Sequence, residues 1–164
     1  IFIPTAYIGK TNTWDNFLSA GKRRHLSESQ IRQLSALGVR FGSHGHTHRD
    51  LTTLSQTALT EELTLSQRIL SDLTGKLVVD IAYPFGRANA QLIHAARALG
   101  FTRQFASVPM NANSDLIGRI PIAKLDNSIS IKSKLSGNFF AGVEVTKSLI
   151  ISKFSHLTPV VTRR

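Results

Sequence analysis

The chain has 164 residues, no cysteine, 41% hydrophobic residues and a formal net charge of +10, from 20 Lys and Arg against 10 Asp and Glu. That length supports one domain with a real core, and the apolar content is too high for disorder. Disulfides and thiolate metal sites are excluded, so any metal must use His, Asp or Glu, and no apolar run reaches transmembrane length.

The basic balance predicts attraction to something anionic: nucleic acid, an anionic cell-wall polymer and anionic lipid all qualify, beside a plain solubilising surface. The cations are scattered, except at Lys22-Arg23-Arg24 and Arg163-Arg164. None is interleaved with aromatics as single-strand binding prefers.

Ile1 to Tyr7 is a short apolar run with β-branched bias, which predicts a buried strand. Because Ile1-Phe2-Ile3 reads as the inside of a strand, the sequence is expected to begin within a domain, and no signal peptide is visible. Gly9-Lys10-Thr11-Asn12-Thr13 reads as a loop. Ser27-Glu28-Ser29-Gln30 is a capping-box pattern, Ile31, Leu34 and Leu37 continue at helical spacing, and Gly38 supplies the stop. Val39 to Ser43 is the next strand candidate. A long helix is predicted from about Ser55 to Thr74, with Leu59, Leu63, Ile69, Leu70 and Leu73 on one face and Gly75 as its end. Leu77 to Tyr83 is strand-like until Pro84-Phe85-Gly86 breaks it. Asn89 caps a helix through Leu92, Ile93, Ala96 and Leu99. Phe101 to Ala106 and Ile117 to Ile122 read as strands, Asn127 to Leu135 as a short helix, and Val143 to Phe154 as an apolar stretch.

Strands alternating with helices predict an α/β fold with a parallel sheet, open or closed into a barrel, in a single domain over 1–164. Sites in such folds lie at the C-terminal ends of the strands. Ser43-His44-Gly45-His46-Thr47-His48 and the Pro84-Phe85-Gly86 turn both fall there.

Three of the six histidines lie within five residues. Neutral imidazole binds zinc and similar ions. His44 and His48, four apart, can converge on one ion in a tight loop, and His46 between them then points elsewhere. The spacing is that of helical zincins, but Gly45 stands where their Glu would be. The bland alternative is a polar loop with chance histidines. His94 reads as a helix-face residue and His25 as a loop residue.

Gly42 to Leu51 resembles the His-x-x-x-His motif of the polysaccharide deacetylases, carbohydrate esterase family 4 with its NodB-homology domain. Ala82-Tyr83-Pro84-Phe85-Gly86 is similar to that family's aromatic-Pro-aromatic-Gly turn. Phe2 to Gly9 with Trp14-Asp15 looks like its second strand and loop, and Gly100-Phe101 and Arg119 to Ile122 look like later strands. The resemblance covers residues 1 to 136. It implies a partial, distorted (β/α) barrel of the polysaccharide-deacetylase type, lacking its first strand.

The resemblance also implies metal-assisted hydrolysis. A divalent metal, zinc with cobalt or nickel as alternatives, is held by two His and one Asp, polarises the acetyl carbonyl and lowers the pKa of a water. An Asp serves as base. Carried onto this sequence, His44 and His48 are the metal ligands, and the backbone N–H of Phe85 is the oxyanion donor. Tyr83, Pro84 and Gly86 shape the turn and count as substrate-binding. His156 is the candidate acid for the leaving amine.

The family's adjacent aspartates, which supply the base and the third ligand, have no counterpart, since no Asp-Asp pair occurs in the chain. The first strand and helix are therefore expected to be missing here. Asp15, Asp50 and Asp80 are the nearby carboxylates; Asp50 is expected to cap a helix or orient a ligand. Ala82 stands where many members carry an Arg. The implied function is removal of N-acetyl or O-acetyl groups from a polysaccharide such as a GlcNAc polymer, with that acetylated polysaccharide as partner and an extracytoplasmic, cell-wall setting. The alternatives are a catalytically inactive glycan- or metal-binding relative and a basic nucleic-acid-binding module, although no nucleic-acid recognition motif is present.

Overall fold

The computed structural model describes residues 1–12, 23–107, 116–120, 122 and 126–136. These fall into two compact units, one holding the described residues up to Gly118 and one holding those from Arg119.

In the first unit, five strands form a parallel sheet: β1 (Phe2–Ile3), β2 (Gly42–Ser43), β3 (Asp80–Ala82), β4 (Arg103–Ala106) and β5 (Leu116–Gly118), in that spatial order. Three helices connect the first four: α1 (Glu28–Ala36), α2 (Gln56–Thr74) and α3 (Ala90–Ala98). The α/β class and parallel sheet read from the sequence are what the chain adopts.

The helix ends form where their caps stand. Ser27 and Gln30 make a reciprocal capping box at α1. The Ser55 side chain accepts from the Ala58 N–H, and the Asn89 side chain accepts from the Leu92 N–H. Gly75 ends α2 in the left-handed conformation. The strands are shorter than their apolar runs suggest. β1 stops after Ile3 because Pro4 has no N–H to continue the ladder, and Thr5–Tyr7 turns into a 3-10 segment. Tyr83 and Pro84 likewise lead β3 into a 3-10 turn over Pro84–Gly86.

α2 supplies Leu59, Leu63, Leu70 and Leu73 to the core, where they meet Ile31 of α1, Leu92 of α3 and Ile81 of β3. The same buried face also carries two polar residues, Glu62 and Ser66. Gly42 lets β1 and β3 approach, since a Cβ there would lie 2.6 Å from the Phe2 ring and 2.9 Å from Cβ of Asp80.

In the second unit, α4 (Ser128–Ser136) begins where the Asn127 side chain accepts from the Ser130 N–H. Lys134 and Asp126 form a buried ion pair at 2.6 Å there, and the Ser130 hydroxyl also donates to Asp126. The apolar stretch expected over Val143 to Phe154 lies outside the described residues.

Candidate metal centre and its loops

His44 follows the last residue of β2, and its backbone N–H donates to the Ile3 carbonyl, so its position is fixed by the sheet. Its Nδ1–H donates to the Ala82 carbonyl at 2.5 Å. A carbonyl can only accept, so this bond fixes the neutral tautomer and makes Nε2 the donor nitrogen for a metal. The bond uses the backbone of residue 82, so Ala in place of an Arg leaves it intact.

The His44 and His48 rings have centroids 5.0 Å apart and planes at 60°. His48 packs in turn on the Phe85 ring, at 5.1 Å. Among the described residues, His48 (φ 56°) and Phe85 (φ 59°) are the only non-glycine residues in the left-handed region. For an L residue that conformation costs on the order of 1–2 kcal/mol, and it occurs here at the two loop residues whose rings touch. The loops after β2 and β3 thus bring together His44, His48 and Phe85 at the C-terminal ends of the strands. The His46 ring is taken elsewhere, with Nδ1 hydrogen-bonded to the Thr5 hydroxyl at 2.8 Å.

Tyr83 and Pro84 are fully buried beneath the turn. The Tyr83 hydroxyl donates to Gln104 Oε1 at 2.6 Å, and burial pushes the phenol well above its ordinary range. Both residues therefore act on the turn's shape. Gly86 (φ 66°) sits against Ser107: a Cβ would collide with the Ser107 side chain and lie 2.8 Å from its backbone N.

Asp50 is the N-cap of the 3-10 segment Leu51–Thr53 and accepts from the Thr52 N–H and hydroxyl. It also pairs with Arg87 at 2.6 Å. Asp80, at the start of β3, is at the far end of the strand from the histidines and is held by Arg40 and Arg103. Among the described residues no group of three His, Cys, Asp or Glu can hold a metal. His94 is exposed on α3, and His25 lies beside Tyr7 with ring centroids 5.9 Å apart. Asp15 and His156 lie outside the described residues.

Sequence reasoning missed Glu62 and Arg87. Glu62 accepts from the His46 and Thr47 N–H groups and the Thr47 hydroxyl. The available signal was a glutamate on the apolar face of α2, because a buried carboxylate requires donors. No pattern in the chain marks Arg87 as the partner of Asp50.

Fold and loop geometry together define the class: a parallel α/β protein in which the loops holding His44, His48 and Phe85 follow adjacent strands. A family model described as polysaccharide deacetylase matches residues 2–103, more than half of the chain, and the chain belongs to that family. The chain is 27% identical over 97 residues to a Bacillus subtilis (strain 168) protein carrying the name polysaccharide deacetylase YxkH, covering 59% of this chain and 35% of that one. It is 28% identical over 89 residues to a chitin deacetylase of Pestalotiopsis sp., covering 54% of this chain and 28% of that one. A polysaccharide deacetylase from Bacillus cereus of known crystal structure superposes with a TM-score of 0.60 at 25% identity, over 74% of this chain and 39% of that one. The chain thus spans about a third of the length of the curated relatives it matches.

Proposed function

We propose that the chain carries part of the active site of a metal-dependent hydrolase that removes N-acetyl or O-acetyl groups from a polysaccharide such as a GlcNAc polymer. The observation that carries this reading is the packing of His44, His48 and Phe85 at the C-terminal ends of β2 and β3. Family membership supports it, as does the likeness to a protein named chitin deacetylase.

Two imidazoles in contact, one with its tautomer fixed, fit part of the ligand set of zinc, cobalt or nickel. When bound, such an ion supplies Lewis-acid polarisation of the acetyl carbonyl and a water of lowered pKa. The Ala82 carbonyl orients His44. The turn at Phe85 carries the backbone N–H assigned to the developing oxyanion. Tyr83, Pro84 and Gly86 hold that turn in shape beneath the substrate. His156, beyond the span of the resemblance, is the candidate for the leaving-group acid because the family's reaction uses a His in that role. This reading carries an extracytoplasmic setting with it, since a polymer outside the membrane needs an enzyme there.

A second reading, a relative that binds glycan or metal without turnover, is favoured by the lack of a third metal donor among the described residues. Acetate release from an acetylated chito-oligosaccharide, with and without zinc, separates the two. With no Asp-Asp pair in the sequence, weak zinc binding and little turnover are expected from this chain alone. Robust turnover by this chain would overturn the expectation that its base is missing, and turnover that survives removal of metal by a chelator would sink the metal reading.

A further inference from the structure

The residues between His44 and His48 are Gly45, His46 and Thr47, and the backbone N–H of each is bonded to a side chain. Gly45 donates to Ser43 Oγ at 3.1 Å. His46 and Thr47 donate to Glu62 Oε2 at 2.8 and 2.9 Å, and the Thr47 hydroxyl donates to Oε1. Ser43 Oγ is bonded to Ser66 Oγ at 2.7 Å, and Ser66 donates to the Leu63 carbonyl. Glu62 and Ser66 are one helical turn apart on the buried face of α2. On the other side, the Gly45 and His46 carbonyls accept from Thr5 and Ala6, at 3.2 and 2.9 Å. The segment is therefore fixed through its amides by α2 and through two carbonyls by the loop after β1.

Burying a carboxylate is costly unless donors surround it. At 7% exposure, Glu62 receives three hydrogen bonds from two adjacent residues. A helix that needed only an apolar contact here would carry Leu or Ala. We propose that Glu62, backed by Ser66, is the positioning residue that sets the register of His44 against His48, so that metal affinity depends on a side chain that does not touch the ion. This rests on the metal-site reading above. The bonds are charge-assisted, and they hold a loop that otherwise has to absorb the left-handed backbone of His48.

The experiment measures zinc affinity by chelator competition, and amide hydrogen exchange, for the unmodified chain, Glu62→Ala, Glu62→Gln, Ser66→Ala and Leu73→Ala. Loss of a ligand's own hydrogen-bond partner typically weakens metal binding by about 10–100-fold. Glu62 holds the loop between the ligands rather than a ligand itself, so Glu62→Ala is expected at the lower end of that range. Its His46 and Thr47 amides should exchange faster relative to core amides. Glu62→Gln keeps an acceptor for both amides, and the Thr47 hydroxyl can turn to accept from the new amide, so it should recover most of both properties. Leu73→Ala removes a buried apolar side chain from the far end of α2 and should lower Tm while leaving zinc affinity unchanged. Should Glu62→Ala fail to fold, Ser66→Ala gives the same comparison at the other link, with a smaller expected loss. Unchanged zinc affinity in Glu62→Ala, or equal losses in Glu62→Ala and Leu73→Ala, would overturn the proposal. An unmodified chain that binds no zinc sinks the metal reading itself, and unaltered exchange at His46 and Thr47 in Glu62→Ala then overturns the clamp as well.

Discussion

Arg87 donates to the carboxylate of Asp50 at 2.6 Å, and this contact ties the loop that follows His48 to the turn that carries Phe85. The two residues are 37 positions apart. Asp50 also caps Leu51–Thr53, so one carboxylate fixes both the start of a 3-10 segment and the distance between two loops.

Asp50 sets an acid limit on the loop. Burial acts to raise its pKa, but the bonds from Thr52 and Arg87 outweigh burial and hold it below the ordinary carboxylate value. A depressed folded pKa contributes stability that is fully present above the unfolded value and lost as pH falls through the folded one. Asn also serves as a cap, so Asp50→Asn removes only the charge pair, worth about 0–1 kcal/mol for a partly exposed ion pair. Asp50→Ala removes the cap too, for about 1–2 kcal/mol in total. Tm measured against pH should lose part of its acid-side slope in Asp50→Asn. An unaltered slope would show that this carboxylate is not coupled to folding.

The left-handed turn at Phe85 separates side chain from backbone. Phe85→Ala keeps the strained φ and loses the ring contact with His48. Phe85→Gly loses the same contact but relieves the backbone, so it should be the more stable variant by on the order of 1 kcal/mol. Chemical denaturation of the two decides, and Phe85→Ala proving the more stable would contradict the left-handed assignment.

Helix ends were legible because the caps are local: Ser27 with Gln30, Ser55, Asn89 and Gly75 each act within four residues of themselves. Strand ends were not. The runs Val39 to Ser43 and Leu77 to Tyr83 pair only over Gly42–Ser43 and Asp80–Ala82, while Arg40 and Leu77 are exposed at their starts and Tyr83 is buried past the end of β3, so apolar composition does not mark where the ladder begins or stops. The site was half legible. His44 and His48 stood out by residue type and spacing, and Phe85 through the family resemblance of its turn. Glu62 did not, because its donors are backbone amides 15 and 16 residues earlier in the chain, which no side-chain pattern records.

Tyr83 tests whether the turn is supported from below. Tyr83→Phe leaves Gln104 Oε1 without its donor in a buried setting, which costs about 1–3 kcal/mol. Thermal unfolding should record that loss while zinc affinity stays unchanged. A fall in zinc affinity without loss of stability would place the hydroxyl at the site itself.

Gly86 should be intolerant of any side chain. Beyond the clash with Ser107, its left-handed backbone alone makes Gly86→Ala cost about 1–3 kcal/mol. Equilibrium unfolding checks this, and a neutral substitution would mean that the turn can move away from Ser107.

The most direct test of the metal assignment is zinc affinity measured on the unmodified chain, His44→Ala, His48→Ala and His46→Ala. Loss of either ligand should weaken binding by at least an order of magnitude, while His46→Ala, whose ring is engaged with Thr5, should bind as the unmodified chain does. Equal losses in all three variants, or unaltered binding in His44→Ala, would contradict the assignment of His44 and His48 as the ligand pair.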